Sequence, residues 1–181
     1  MNLNLNYSLN EKDYLIYQLY TASKSKNVIK QKRKSFIIVF IAFTFFGVNI
    51  YNKDKSGLWF FIPICLIILM SYPFILKWRY KSHYKKFIQE NYKERIGLIS
   101  NYNFDTETLN IKNSLGESKI NYESFEQINE TNDYYYLKLK TEESFIIPKS
   151  QILSNVEFKQ ILNILKEKYA VKENIELDWK Y

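Results

Sequence analysis

Two uncharged apolar runs, separated by only Lys53, Asp54 and Lys55, constrain this chain more than any other feature: Ser35–Asn52 and Ser56–Leu76. At about 1.5 Å per helical residue they reach roughly 27 and 31 Å. The hydrocarbon core of a bilayer is about 30 Å thick, so each run is long enough to span it. Phe36–Tyr51 is dominated by Phe, Ile and Val, which favour insertion. Thr44, Gly47 and Asn49 offset part of that gain. The second run contains Pro63 and Pro73, which spanning helices tolerate better than soluble ones, and a kink is expected near Pro73. The competing reading, a buried helical hairpin in a soluble core, is disfavoured because core helices rarely run so long without a charge. Tyr51, Trp59, Tyr72 and Trp78 lie near the expected ends, as interfacial aromatics do.

The flanking charge sets the expected orientation. Lys24, Lys26, Lys30, Lys32, Arg33 and Lys34 precede the first run, and Lys77, Arg79, Lys81, Lys85 and Lys86 follow the second. The connecting loop offers only Lys53 and Lys55. Positive residues stay inside, so both termini are expected in the cytoplasm of a multi-pass cell-membrane protein. Those eleven residues are expected to meet anionic headgroups of the bilayer. The formal charge of +7 is uneven: residues 1–96 carry 16 Lys/Arg against 5 Asp/Glu, and residues 97–181 carry 10 against 14. The basic residues crowd the expected membrane surface, so nucleic acid is not an expected partner. Residues 1–9 lack the basic and apolar regions of a signal peptide.

Outside the hairpin the periodicity changes. Met1, Leu3, Leu5, Tyr7 and Leu9 alternate with polar residues, the pattern of a half-buried strand. Ser8 and Glu11 have capping-box spacing for a helix over about Asn10–Ser23, with Leu15, Ile16, Leu19 and Ala22 on one side. Lys77–Tyr92 reads as a helical stalk with Trp78, Tyr84, Phe87, Ile88 and Tyr92 facing one way. Short strands are expected over Ile96–Phe104, Thr108–Asn113, Ser118–Tyr122, Phe125–Glu130, Tyr134–Lys140 and Ser144–Pro148. Ser154 and Glu157 then open an amphipathic helix carrying Phe158, Ile161, Leu162, Leu165 and Tyr169, with Leu153 and Phe158 as a hydrophobic staple. Six strands and a closing helix resemble a pleckstrin-homology-like antiparallel barrel, whose seventh strand residues 1–9 would supply. The expected fold class is thus a membrane α-helical hairpin plus an α+β cytoplasmic domain. The segments are a strand and amphipathic helix over 1–34, the hairpin over 35–76, a basic stalk over 77–95, the C-terminal domain over 96–170 and a tail over 171–181.

The chain resembles the YcxB-like family of small bacterial membrane proteins. The resemblance lies in the N-terminal strand followed by Glu11-Lys12-Asp13-Tyr14 and in the two-span hairpin. It continues in Ser118-Lys119-Ile120-Asn121-Tyr122, Asn132-Asp133-Tyr134-Tyr135-Tyr136-Leu137 and Phe145-Ile146-Ile147-Pro148-Lys149. It implies a membrane hairpin with a YcxB-like C-terminal domain and no particular activity. Richness in Asn, Lys, Ile and Tyr points to an AT-rich, bacterial source.

Few residues suggest chemistry. His83 is the only histidine and stands among lysines, and Cys65, the only cysteine, lies inside the second apolar run. That argues against a zinc site, a catalytic triad or a disulfide framework. The four glycines form no phosphate-cradling loop. No enzyme activity and no cofactor are expected. Neither run carries an ionisable residue of the kind that marks a transport path. One candidate site remains: alternation in Tyr134–Lys140 puts Tyr134, Tyr136, Lys138 and Lys140 on one face, where exposed tyrosines beside lysines could hold a peptide or a partner surface. The alternative is an ordinary strand wetted by tyrosines. Two function classes follow: a membrane-anchored protein with a cytoplasmic protein-interaction domain, or a small accessory or immunity-type protein acting through its hairpin.

Overall fold

The computed structural model describes residues 3–181, so Met1 and Asn2 of the first alternating stretch lie outside the described residues. The chain forms two compact units. One comprises the residues up to Tyr17 together with Ile88–Tyr181, and the other Gln18–Phe87.

The second unit is helical. Helix α1 runs Glu11–Lys24 and contributes its C-terminal half here. Ser25 caps the next helix, α2 (Lys26–Lys53), its hydroxyl accepting from the Val28 N–H. Helix α2 therefore begins well before the apolar run and carries the basic residues on its first turns. A short 3-10 turn at Lys55–Gly57 reverses the chain into α3 (Leu58–Asn91). Helix α3 continues through Pro63 and Pro73 and onward through the stalk. Phe43 packs edge-on against Phe61, and Phe36 meets Tyr72. A Cβ on Gly47 would lie 3.3 Å from the Phe61 ring, so this glycine lets the two helices come close. Both helices are long and apolar enough to cross a membrane, and their apolar windows are not buried within the protein.

The first unit holds two four-strand sheets, the first antiparallel and the second mixed. Strands β1 (Leu3–Ser8), β2 (Ile99–Phe104), β3 (Thr108–Asn113) and β4 (Gly116–Asn121) form one sheet in the order 1-2-3-4. Strands β5 (Phe125–Thr131), β6 (Tyr134–Leu139), β7 (Ser144–Pro148) and β8 (Lys172–Glu176) form the second, in the order 7-6-5-8. Strand β1 pairs with β2 from Leu3↔Phe104 to Ser8↔Ile99. Leu3, Leu5, Tyr7 and Leu9 are buried while the intervening Asn4, Asn6 and Ser8 are exposed, as the alternation requires.

Several details differ from the expectation. Strand β2 starts at Ile99, because Gly97 turns the chain at φ 77 and donates its N–H to Leu9 O at 2.8 Å. Helix α1 is capped by Asn10 and Asp13 rather than Ser8 and Glu11. Asn10 Oδ1 accepts from the Lys12 and Asp13 N–H groups, and Asp13 Oδ2 accepts from Asn10 N at 2.7 Å. Tyr122 leaves β4 for a 3-10 turn in which it alone is buried, and its hydroxyl donates to Asp105 O at 2.9 Å. Of the aromatic and aliphatic stalk residues only Ile88 is buried, and Trp78 is 69% exposed. Helix α4 (Asn155–Tyr169) takes Ser154 as its cap and buries Phe158, Ile161, Leu162 and Leu165. Leu153 is 95% exposed, so no staple forms.

The second sheet has a strand in place of the expected tail: β8 lies parallel to β5, from Gln127↔Lys172 to Thr131↔Glu176. The two sheets do not close into a barrel. The Tyr122–Ser124 turn breaks the chain between β4 and β5, and the outer edge of β5 is taken by β8. What links the sheets is side chains. Tyr7 donates its hydroxyl to Ile146 O at 2.8 Å, Tyr102 meets Phe145, and Phe104 packs edge-on against Phe158 of α4.

Candidate functional site

Strand β6 lies between β7 and β5, so its backbone is paired on both edges and its side chains decide what each face meets. The Tyr135, Leu137 and Leu139 face turns to the core, with Tyr135 5.1 Å from Phe158. The other face was expected to be open, and it is not. Tyr134 is 7% exposed and Tyr136 is fully buried. The N-terminal half of α1 covers them: Tyr134 donates to Asp13 Oδ1 at 2.7 Å, and the Tyr17 ring sits 5.3 Å from Tyr136. Tyr134 and Tyr136 stack on each other at 5.8 Å. Period-two alternation shows which residues share a face, but it cannot show that a helix from elsewhere in the chain lies on that face.

The four candidate residues therefore separate into two kinds. Tyr134 and Tyr136 belong to the layer between α1 and the second sheet. Lys138 lies further along, paired with Glu126 at 3.1 Å and Glu142 at 2.8 Å. A register shift between Phe125 and Gln127 accompanies the Glu126 contact, and Glu142 stands at φ 70 in the tight turn after β6. Those carboxylates hold the Lys138 ammonium above its usual range. Lys140 is exposed.

The layer is rich in tyrosine. Tyr7 and Tyr102 stack nearly parallel at 4.7 Å, and Tyr14 meets Tyr92 at 4.9 Å. Burial pushes the Tyr14 hydroxyl up to about 12 and raises Tyr7 and Tyr102 as well. Burial and the Asp13 carboxylate raise Tyr134 in the same way. Of these hydroxyls, Tyr7 and Tyr134 donate to the Ile146 carbonyl and the Asp13 carboxylate, which the core would otherwise leave unserved. On the core face, burial and Glu130 push Tyr135 up to about 12, and Lys149 bridges the pair, 2.6 Å from Glu130 and 4.8 Å from the Tyr135 ring.

Sequence reasoning missed one surface, the edge of β4. Its six residues are almost all exposed, and no strand pairs with its outer side among the described residues. In the helical unit a groove of about 490 Å³ opens at the loop end of the hairpin, lined by Phe45, Phe46, Asn49, Ile50, Lys53, Asp54 and Gly57. Among the described residues no group of three or more His, Cys, Asp or Glu is placed to hold a metal ion.

No curated protein and no solved structure matches the chain. Residues 104–165, from the end of β2 into α4, match the family model described as YcxB-like protein, so the family resemblance expected from the sequence is found over that segment.

Proposed function

We propose that this chain is a membrane-anchored protein in which α2 and α3 form a two-span hairpin and the unit built on the two sheets binds a protein partner in the cytoplasm. The observation that carries the reading is the exposure of the apolar windows. A soluble core helix buries such a window, whereas here Phe45, Phe46, Phe60, Ile67, Met70 and Phe74 are all more than half exposed. Contiguous apolar surface of that extent needs lipid or protein to cover it. The eleven flanking Lys/Arg orient the hairpin with both termini inside.

The sheet-bearing unit is read as pleckstrin-homology-like. The meander β2–β4, the meander β5–β7 and a closing helix follow one another in that order, with β1 and β8 added at the sheet edges. An adaptor role fits a unit whose strand edges and charged turns, rather than a catalytic cluster, form its outward features.

Exchanging residues 35–76 for an unrelated two-span anchor tests the reading. Photocrosslinkers placed in the sheet-bearing unit should give the same partner adducts before and after the exchange. Loss of the adducts would transfer the function to the hairpin, as an accessory or immunity-type protein requires.

A further inference from the structure

The edge of β4 has a direction and a charge pattern that select one kind of partner. Tyr122 N–H donates to Glu107 O at 3.0 Å, which puts Tyr122 in a hydrogen-bonded pair with the β3 side. In an antiparallel ladder such pairs alternate with non-bonded ones. With Ile111↔Ser118 and Leu109↔Ile120 in register, Gly116, Ser118 and Ile120 direct their backbone groups to β3. Glu117, Lys119 and Asn121 direct theirs outward, where no strand meets them among the described residues.

We propose that two copies of this chain pair antiparallel through β4, about a two-fold axis at Ser118. In that register Glu117 of each copy stands opposite Lys119 of the other, and the outward N–H and C=O groups of both residues are the ones that bond. Side chains directly opposite in an antiparallel pair share a face, so the two ion pairs form on the polar face of the extended sheet. There Lys112 already pairs with Glu117 within the chain, and the interface continues that row with alternating sign. Ile120 falls opposite Gly116, which leaves it room. Shifting the register by two residues, so that Lys119 opposes Lys119 or Glu117 opposes Glu117, sets like charges together. An eight-strand sheet across the dimer also removes the exposed edge that β4 leaves.

This goes beyond the anchor reading by naming a partner. It fails independently: a monomer in the membrane would leave the anchor intact.

The test uses the full chain in membranes, in a Cys65→Ala background. Ser118 would lie at the two-fold in a non-bonded pair, where Cα atoms approach to about 4.5 Å, within disulfide range. Ser118→Cys should crosslink to a dimer on mild oxidation, and Asn121→Cys, six residues from its own copy, should not. Lys119→Glu added to Ser118→Cys should cut crosslinking about tenfold. Glu117→Lys should do the same, and the double reversal should restore most of it. Equal crosslinking at Ser118→Cys and Asn121→Cys, or a double reversal as weak as the singles, would overturn the proposal.

Discussion

Asp13 shows how much one side chain organises. Its Oδ2 closes the cap of α1 and its Oδ1 takes the Tyr134 hydroxyl, so one buried carboxylate both starts the helix and docks it on β6. Hydrogen bonds to a charged group contribute about 1.5–3 kcal/mol. Tyr134→Phe should therefore destabilise the sheet-bearing unit by about 2 kcal/mol in denaturant titrations. Asp13→Ala should cost more, and the two changes together should cost less than their sum. Full additivity would mean that the hydroxyl and the carboxylate do not depend on each other. The buried tyrosines make a second prediction. Tyr7, Tyr14, Tyr102 and Tyr134 all hold their protons more tightly folded than unfolded. Unfolded tyrosine ionises near pH 10, so stability is full below that value. It should fall as pH rises from 10 through the folded values, which for Tyr14 is about 12. Stability should be lower at pH 11 than at pH 9, with a smaller difference in Tyr14→Phe. Equal stability at the two pH values would contradict the burial described.

At the scale of elements, β1 and β8 form a contrast. Both are edge strands, but β1 buries Leu3, Leu5 and Tyr7, whereas no residue of Lys172–Glu176 is fully buried. Deletion of residues 1–8 should lower the melting temperature sharply, and Leu5→Ala alone should cost about 3 kcal/mol. Truncation after Val171 should cost far less, since β8 adds backbone pairing, the Lys166–Glu173 ion pair and little apolar burial. A larger loss from the C-terminal truncation would invert this account. The same contrast explains what was legible in the sequence. Residues 3–9 declared their strand because burial on one face imposes strict alternation. The limits of β3 and β7 also match their expected ranges, although β7 buries Ile146, Ile147 and Pro148 in succession rather than alternately. Strand β8 left no such trace, because side chains that bury nothing carry no period. The candidate face of Tyr134 and Tyr136 was misjudged for the opposite reason: amphipathic tyrosine suits a wetted face and a buried polar layer equally, and composition does not distinguish them.

For the whole molecule, the central claim is that the hairpin sits in a bilayer and the sheet-bearing unit lies on the cytoplasmic side. Lys77, Arg79, Lys81, Lys85 and Lys86 follow the second apolar run on helix α3. In the proposed arrangement each would contribute about 1 kcal/mol of attraction to an anionic leaflet. Replacing these five with Gln should reduce the enrichment of anionic lipid around the full chain in mixed vesicles. Unchanged enrichment would place the basic residues away from the headgroups. The most direct test of the claim is a pair of topology reporters, fused at Tyr181 and inserted at Asp54. The account predicts a cytoplasmic signal from Tyr181 and an external one from Asp54. An external signal from Tyr181, or a cytoplasmic signal from both positions, would contradict it.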